Sequence, residues 1–297
     1  MSKMIIGIHG LSNKSPKDTL EKWWKQAIQE GLQKNVRCKQ DFEFSLVYWA
    51  DLYYKYPLHQ DKDYEFDSLY NKEPYVKSDN KALTSYKEGW LSRMRAELTN
   101  PDSEILQTLK SKFDIEAATN YLLSAFFKDL HFYYSGKKLR DRNGKKRPIQ
   151  QILTQQLKNE ITQHKGKDLM LIAHSMGTII AFDTLHKLPK STKVSQFITM
   201  GSPLGIPQVK VKAAESGSPL AKPMSVTGNW VNFADKKDAI ALDPHLADDY
   251  GGGIIDEMVL NDYHINGKHN YHKSYGYLRT PEISKYIAEF LRGESNK

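Results

Sequence analysis

The run Ala173-His174-Ser175-Met176-Gly177 carries the sharpest chemical signal in the chain. It stands between Leu169–Ala173, an apolar stretch that reads as a buried strand, and a stretch from about Met176 to Leu188 that reads as a helix. A serine at such a strand–helix junction sits on a turn so tight that the residues two before and two after it must be small. Ala173 and Gly177 meet that demand. The hydroxyl then faces a cleft at the carboxyl end of the strand, and it is a weak nucleophile until a base takes its proton. The N–H of Met176, at the helix start, can donate to a developing oxyanion. The bland alternative is an ordinary helix N-cap serine. The favoured chemistry is nucleophilic attack by a serine on a carbonyl.

A second group of side chains fills the tail: Asp243, His245, Asp248, Asp249, His264, His269 and His272. They offer nitrogen and oxygen ligands, but their spacing matches no metal signature, so neither a metal nor another cofactor is expected. Cys38 is the single cysteine, which excludes an internal disulfide and a cysteine-based zinc site.

Elements must position these residues. Met4–Ile8 reads as a buried strand ending at His9-Gly10. Ser15, Pro16 and Asp18 start a helix whose apolar positions are Leu20, Trp23, Trp24, Ala27, Ile28 and Leu32. Phe42–Ala50 reads as the second strand, and strand–helix–strand implies a parallel sheet. Residues 51–146 break the rhythm as an aromatic-rich, mainly helical insertion, with helices expected near Lys81–Leu98 and Asp114–Tyr134. A helix from Pro148, strands at Asp168–Ala173, Gln196–Met200 and Asn229–Ala234, a largely looped tail and a helix from Pro281 complete the reading.

With the strand, the Ser175 turn and the early His9-Gly10 pair in place, the chain resembles the α/β-hydrolase superfamily, in particular its lipase- and esterase-like members. The resemblance covers roughly residues 3–50 and 147–292 and departs from the family at Ala173, where a glycine is usual. It implies an α/β fold, with a mostly parallel doubly wound sheet in a core of residues 1–50 and 147–297, and the 51–146 insertion as a helical lid. It also implies that the N–H groups of Leu11 and Met176 form the oxyanion hole, and that His9 shapes its loop and does not act as the base. The family's order of serine, acid, histidine points to Asp238 as the acid, ahead of Asp235, which suits a turn cap. Asp243, Asp248, Asp249, Asp256 and Asp262 are weaker candidates. The same resemblance points to His272 as the base, ahead of His269 and His264.

The implied activity is a serine ester hydrolase of the carboxylesterase or lipase class, working through Ser175, Asp238 and His272. The alternatives are a thioesterase or acyltransferase with the same parts, or a non-catalytic binding protein that keeps the serine. Aromatic walls in the insertion, Phe126 and Phe127 among them, are expected to favour medium acyl chains. The 43 Lys and Arg against 35 Asp and Glu give a net charge of +8, densest at Lys137, Lys138, Arg140, Arg142, Lys145, Lys146 and Arg147. That cluster is either a solvated turn or a peripheral contact with anionic membrane. No nucleic-acid signature accompanies it. The expected partner is a small-molecule or lipid ester. No signal-peptide pattern or membrane-spanning run is found, so a cytoplasmic address is expected.

Overall fold

The computed structural model describes residues 2–59, 74–80, 83–88, 126–189, 191–265 and 267–294. Six strands form one sheet in the order β2-β1-β5-β6-β7-β8, and every pairing in it is parallel. They are β1 (Lys3–Ile8), β2 (Glu43–Val47), β5 (Asp168–His174), β6 (Gln196–Met200), β7 (Trp230–Ala234) and β8 (Ile254–Met258). The helices are α1 (Lys17–Val36), α2 (Ile149–Gln163), α3 (Met176–His186), α4 (Pro207–Glu215), α5 (Ser274–Leu278) and α6 (Pro281–Arg292).

The near-continuous apolar strands follow from burial on both faces. Alternation along β5 sends Leu169, Leu171 and Ala173 to one face, where they pack with residues of α2, α3 and α4. Met170 and Ile172 point to the other face, against α1 and α6. On β1, Ile6 and Ile8 join the first cluster and Ile5 the second.

The position of the site follows from this topology. Strand β1 lies between β2 and β5. The helix after β1 packs on one face of the sheet, and the helix after β5 packs on the other. Their connections therefore part at the carboxyl ends of β1 and β5, which opens the crevice where parallel α/β sheets bind ligands. Ile8 pairs with Ala173, so His9-Gly10 and His174-Ser175 leave the sheet side by side.

Several expectations are revised. The second strand ends at Val47, and Ala50–Leu52 turn into a 3-10 helix, because Trp49 is drawn onto His9. The tail read as loop supplies β8, whose Asp256 and Glu257 masked its strand character, and the loop after β6 contains α4. The basic cluster forms a hairpin: Lys138–Arg140 (β3) and Lys146–Pro148 (β4) pair antiparallel, and the turn between them is largely exposed. Asp141 organises its turn by accepting the Asn143 and Lys145 N–H groups. Of the helix expected at Asp114–Tyr134, residues 126–134 are described and helical. Of that expected at Lys81–Leu98, only 83–88 are described, with helix at 86–88. The rest of both lies outside the described residues, as does most of the expected lid. No described helix is long and apolar enough to cross a membrane.

The helical stretch 126–134 is fastened to the core through Asp183 of α3, which is fully buried. Its carboxylate accepts from Tyr133 Oη at 3.0 Å, Tyr134 Oη at 3.3 Å, Gln150 Nε2 at 2.8 Å and Ser218 Oγ at 2.6 Å. Neutral donors from three other segments thus replace water around one charge. Asp183→Ala strands them all and is expected to cost roughly 3 kcal/mol in urea unfolding. A loss below about 1 kcal/mol would show that these donors find water instead.

Candidate active site

Ser175 holds φ 54° and ψ −130°, a left-handed conformation that L-residues avoid. Such strain costs about 1–3 kcal/mol and persists only where neighbours over-determine it. Here the Ser175 N–H is tied to Met200 O of β6 at 3.2 Å, and its carbonyl accepts the Thr178 N–H at 2.8 Å as α3 begins. Small neighbours are compulsory. A Cβ on Gly177 would lie 2.7 Å from the carbonyl oxygens of Ile8 and His9, and one on Gly10 would lie 2.7 Å from Ser175 Cβ.

The Ser175 hydroxyl meets His272 Nε2 at 2.9 Å. The other ring nitrogen, Nδ1, lies 2.8 Å from both carboxylate oxygens of Asp238. Asp238 is buried; it also accepts the Ile240 N–H at 2.9 Å and the Tyr277 hydroxyl at 2.7 Å. A carboxylate facing Nδ1 favours the tautomer with the proton there and leaves Nε2 to accept from Ser175. Asp235 takes a different part: its carboxylate accepts the N–H groups of Lys237 and Asn261, at 2.8 and 2.7 Å, and so caps the turn that presents Asp238. Burial raises the Asp235 carboxyl above its ordinary value, against the pull of those two bonds.

The other candidates lie elsewhere. His264 and His269 face each other across the hairpin of His264–Ile265 (β9) and Lys268–His269 (β10), with ring centroids 5.4 Å apart, and His269 stacks on Tyr271. Asp243 caps the His245 N–H, Asp249 pairs with Lys210, Asp256 holds the N–H groups of Leu246 and Ala247, and Asp262 pairs with Arg279. Among the described residues no group of three His, Cys, Asp or Glu is placed to hold a metal ion.

His9 is buried and stacked on Trp49 with centroids 4.8 Å apart. Its Nδ1 donates to Gly10 O at 2.7 Å, and its Nε2 accepts the Trp49 N–H at 3.1 Å. Both nitrogens are thus spent on backbone, which fits a loop-shaping role. Leu11, the next residue but one, is buried and lines the pocket at Ser175. Met176 is the first residue of α3, where N–H groups have no intrahelical acceptor.

Several contributors were not legible beforehand. Gly201, φ 54°, closes β6 beneath the Asp238–His272 contact: a Cβ there would lie 2.7 Å from Asp238 Oδ2 and 3.2 Å from His272 Nδ1. Asn261 clamps the loop that carries His272, through Nδ2 to the carbonyls of Tyr271 and Lys273. His174 Nε2 donates to His272 O at 2.8 Å. Only Gly201, in the run GSPLGIP, left a trace in the sequence, as a glycine at a strand end.

The pocket at Ser175 measures about 50 Å³ among the described residues and is walled by Leu20 and Trp24 of α1 and by Tyr275 of α5. The expected Phe126–Phe127 wall is not there. Phe126 is fully buried in the core with Leu130 and Tyr133, Phe127 is partly exposed, and neither lines this pocket.

The PGAP1-like alpha/beta domain, a family of α/β hydrolases, matches residues 91–284 of the 297. The chain belongs to that family. Its six-stranded parallel sheet flanked by helices is the α/β-hydrolase architecture, and a hydrolase-type function follows for this PGAP1-like protein. No curated protein matches the chain.

Two outcomes are expected. Gly201→Ala should lower kcat for p-nitrophenyl acetate at least tenfold with the fold retained; an unchanged kcat would mean that the Asp238–His272 contact tolerates displacement. The second concerns pH. Burial, helped by the Lys14 charge, holds His9 down at about 3 from the ordinary 6.5. The unfolded chain binds that proton below about 6.5 and the folded one does not. The His9 contribution to stability is therefore complete above about 6.5 and drains as pH falls toward about 3. In urea unfolding, His9→Gln should flatten the decline between pH 6.5 and 4 relative to the parent. Parallel curves would show that His9 titrates normally.

Proposed function

We propose that this PGAP1-like hydrolase cleaves carboxylic esters through an acyl-enzyme formed on Ser175. The observation that carries the reading is the continuous hydrogen-bonded line from Ser175 Oγ through His272 to Asp238. His272 Nε2 takes the hydroxyl proton as Ser175 Oγ bonds to the ester carbonyl carbon, and the carbonyl electron pair moves onto oxygen. The N–H groups of Leu11 and Met176 hold that oxyanion. As it collapses, the C–O bond to the alcohol breaks and His272 returns the proton to the leaving oxygen. Water then repeats the cycle, with His272 as its base, and frees the acid and Ser175. Asp238 stabilises the imidazolium at each stage and does not itself take the proton.

Steady-state hydrolysis of a p-nitrophenyl ester series tests this. Ser175→Ala, His272→Ala and Asp238→Asn should each lower kcat on the order of 10⁴. Full activity in His272→Ala would move the base to His269 or His264. Activity lost in Asp235→Asn but kept in Asp238→Asn would reverse the choice of acid.

A further inference from the structure

The basic cluster of residues 137–147 takes no part in the chemistry above, and the β3–β4 hairpin gives it an order. Arg140 stands directly opposite Lys146, Leu139 opposite Arg147 and Lys138 opposite Pro148. Directly opposed residues share a face, and successive ones alternate. One face therefore carries Leu139, which packs against the core, and Arg147, whose Nε pairs with Asp141 at 3.2 Å. The other face carries Lys138, Arg140 and Lys146, all exposed. The nearby acids are already matched, Asp141 with Arg147 and Asp51 with Arg142 at 2.9 Å. Among the described residues no acidic side chain pairs with Lys138, Arg140 or Lys146; Arg140 Nη1 donates to Gly144 O at 3.0 Å. Like charges directly opposite each other on a strand pair are destabilising. An opposing surface of negative charge offsets that repulsion.

The hairpin lies at the carboxyl edge of the sheet, the edge that presents Ser175. Arg142 Nη2 donates to Tyr48 O, just past the end of β2, at 3.0 Å. Lys137 Nζ lies 4.8 Å over the ring of Phe132, and that ring meets Tyr53 with centroids 5.0 Å apart. From Tyr53 the chain runs to Lys55 and Tyr56, both exposed, with the Lys55 ammonium 5.2 Å over the Tyr56 ring. Asn13, on the loop after β1, donates to Tyr56 O at 3.0 Å. A basic and aromatic rim thus runs from the hairpin to the loop beside the nucleophile. We infer that this rim, led by Lys138, Arg140 and Lys146, docks on the surface of an anionic phospholipid bilayer. Lysine and arginine ends are drawn to the anionic headgroups, and a tyrosine ring suits the interfacial layer beneath them. The hairpin rests on the core through its Leu139 face, so it offers a surface and not a ribbon free to enter a nucleic-acid groove. The docking does not depend on the hydrolase chemistry, although the docked rim adjoins the crevice of Ser175.

Co-sedimentation of the full chain with phosphatidylcholine vesicles, with and without phosphatidylglycerol, tests this. Binding should be about tenfold tighter or more with the acidic lipid, and should fade as salt is raised. Lys138→Gln/Arg140→Gln/Lys146→Gln should weaken it about tenfold or more. Lys39, Lys165 and Lys193 are exposed and precede β2, β5 and β6, at the opposite edge of the sheet. Changing those three to Gln removes the same charge and should leave binding within about twofold of the parent. No preference for acidic lipid would overturn the inference and leave the hairpin a solvated turn. Equal losses in the two triple variants would also overturn it, in favour of net charge alone. Displacement of the protein from vesicles by a short DNA duplex at equal phosphate concentration would overturn it in favour of nucleic acid. Ser175→Ala should bind vesicles as the parent does, so the outcome stands apart from that of the hydrolase reading.

Discussion

Ser175 is kept in a left-handed conformation by what surrounds it, and the rest of the site is arranged to permit this. Strand β5 delivers it between β1 and β6, with its N–H bonded to Met200 O and its carbonyl starting α3. The sharp turn brings α3 hard against the end of β1, so position 177 must lack a side chain. It also brings the loop after β1 against the serine itself, so position 10 must lack one. That loop is then fixed by His9, whose two nitrogens are taken by Gly10 O and the Trp49 N–H. Ser12 beside it is also held at positive φ, with its N–H on Asp129. The strain at one residue is thus distributed through contacts with several segments.

The electrostatics follow a consistent plan. The histidines flanking the serine, His9 and His174, are buried and held down by burial, so they stay neutral. Asp238 accepts the Ile240 N–H and the Tyr277 hydroxyl and faces His272 Nδ1, so its carboxylate is turned toward that ring.

Much of this was legible in the sequence because it rests on local rules. The apolar runs of β1, β5, β6 and β7 are continuous because both sheet faces are covered, and the small residues around Ser175 mark the turn directly. Strand β8 was hidden because its exposed or half-buried positions carry Asp256 and Glu257, and Asp256 is there to hold the N–H groups of Leu246 and Ala247. The order of preference among the acids and histidines came from resemblance to a family. The bonds that separate Asp235 from Asp238, and His272 from His269, join residues 26 to 97 positions apart, and no local pattern encodes such pairings. Phe126 and Phe127 suggested a ligand wall because an apolar surface looks the same in sequence whether it faces a substrate or the core. Phe126 faces the core.

The central claim is that Ser175 is an activated nucleophile. The direct measurement is peptide mapping by mass spectrometry after brief exposure of the folded protein to a fluorophosphonate. The account predicts one adduct, on the peptide containing Ser175, absent from Ser175→Ala and formed far more slowly in His272→Ala. A folded parent protein that forms no adduct, or an adduct that persists in Ser175→Ala, would contradict it.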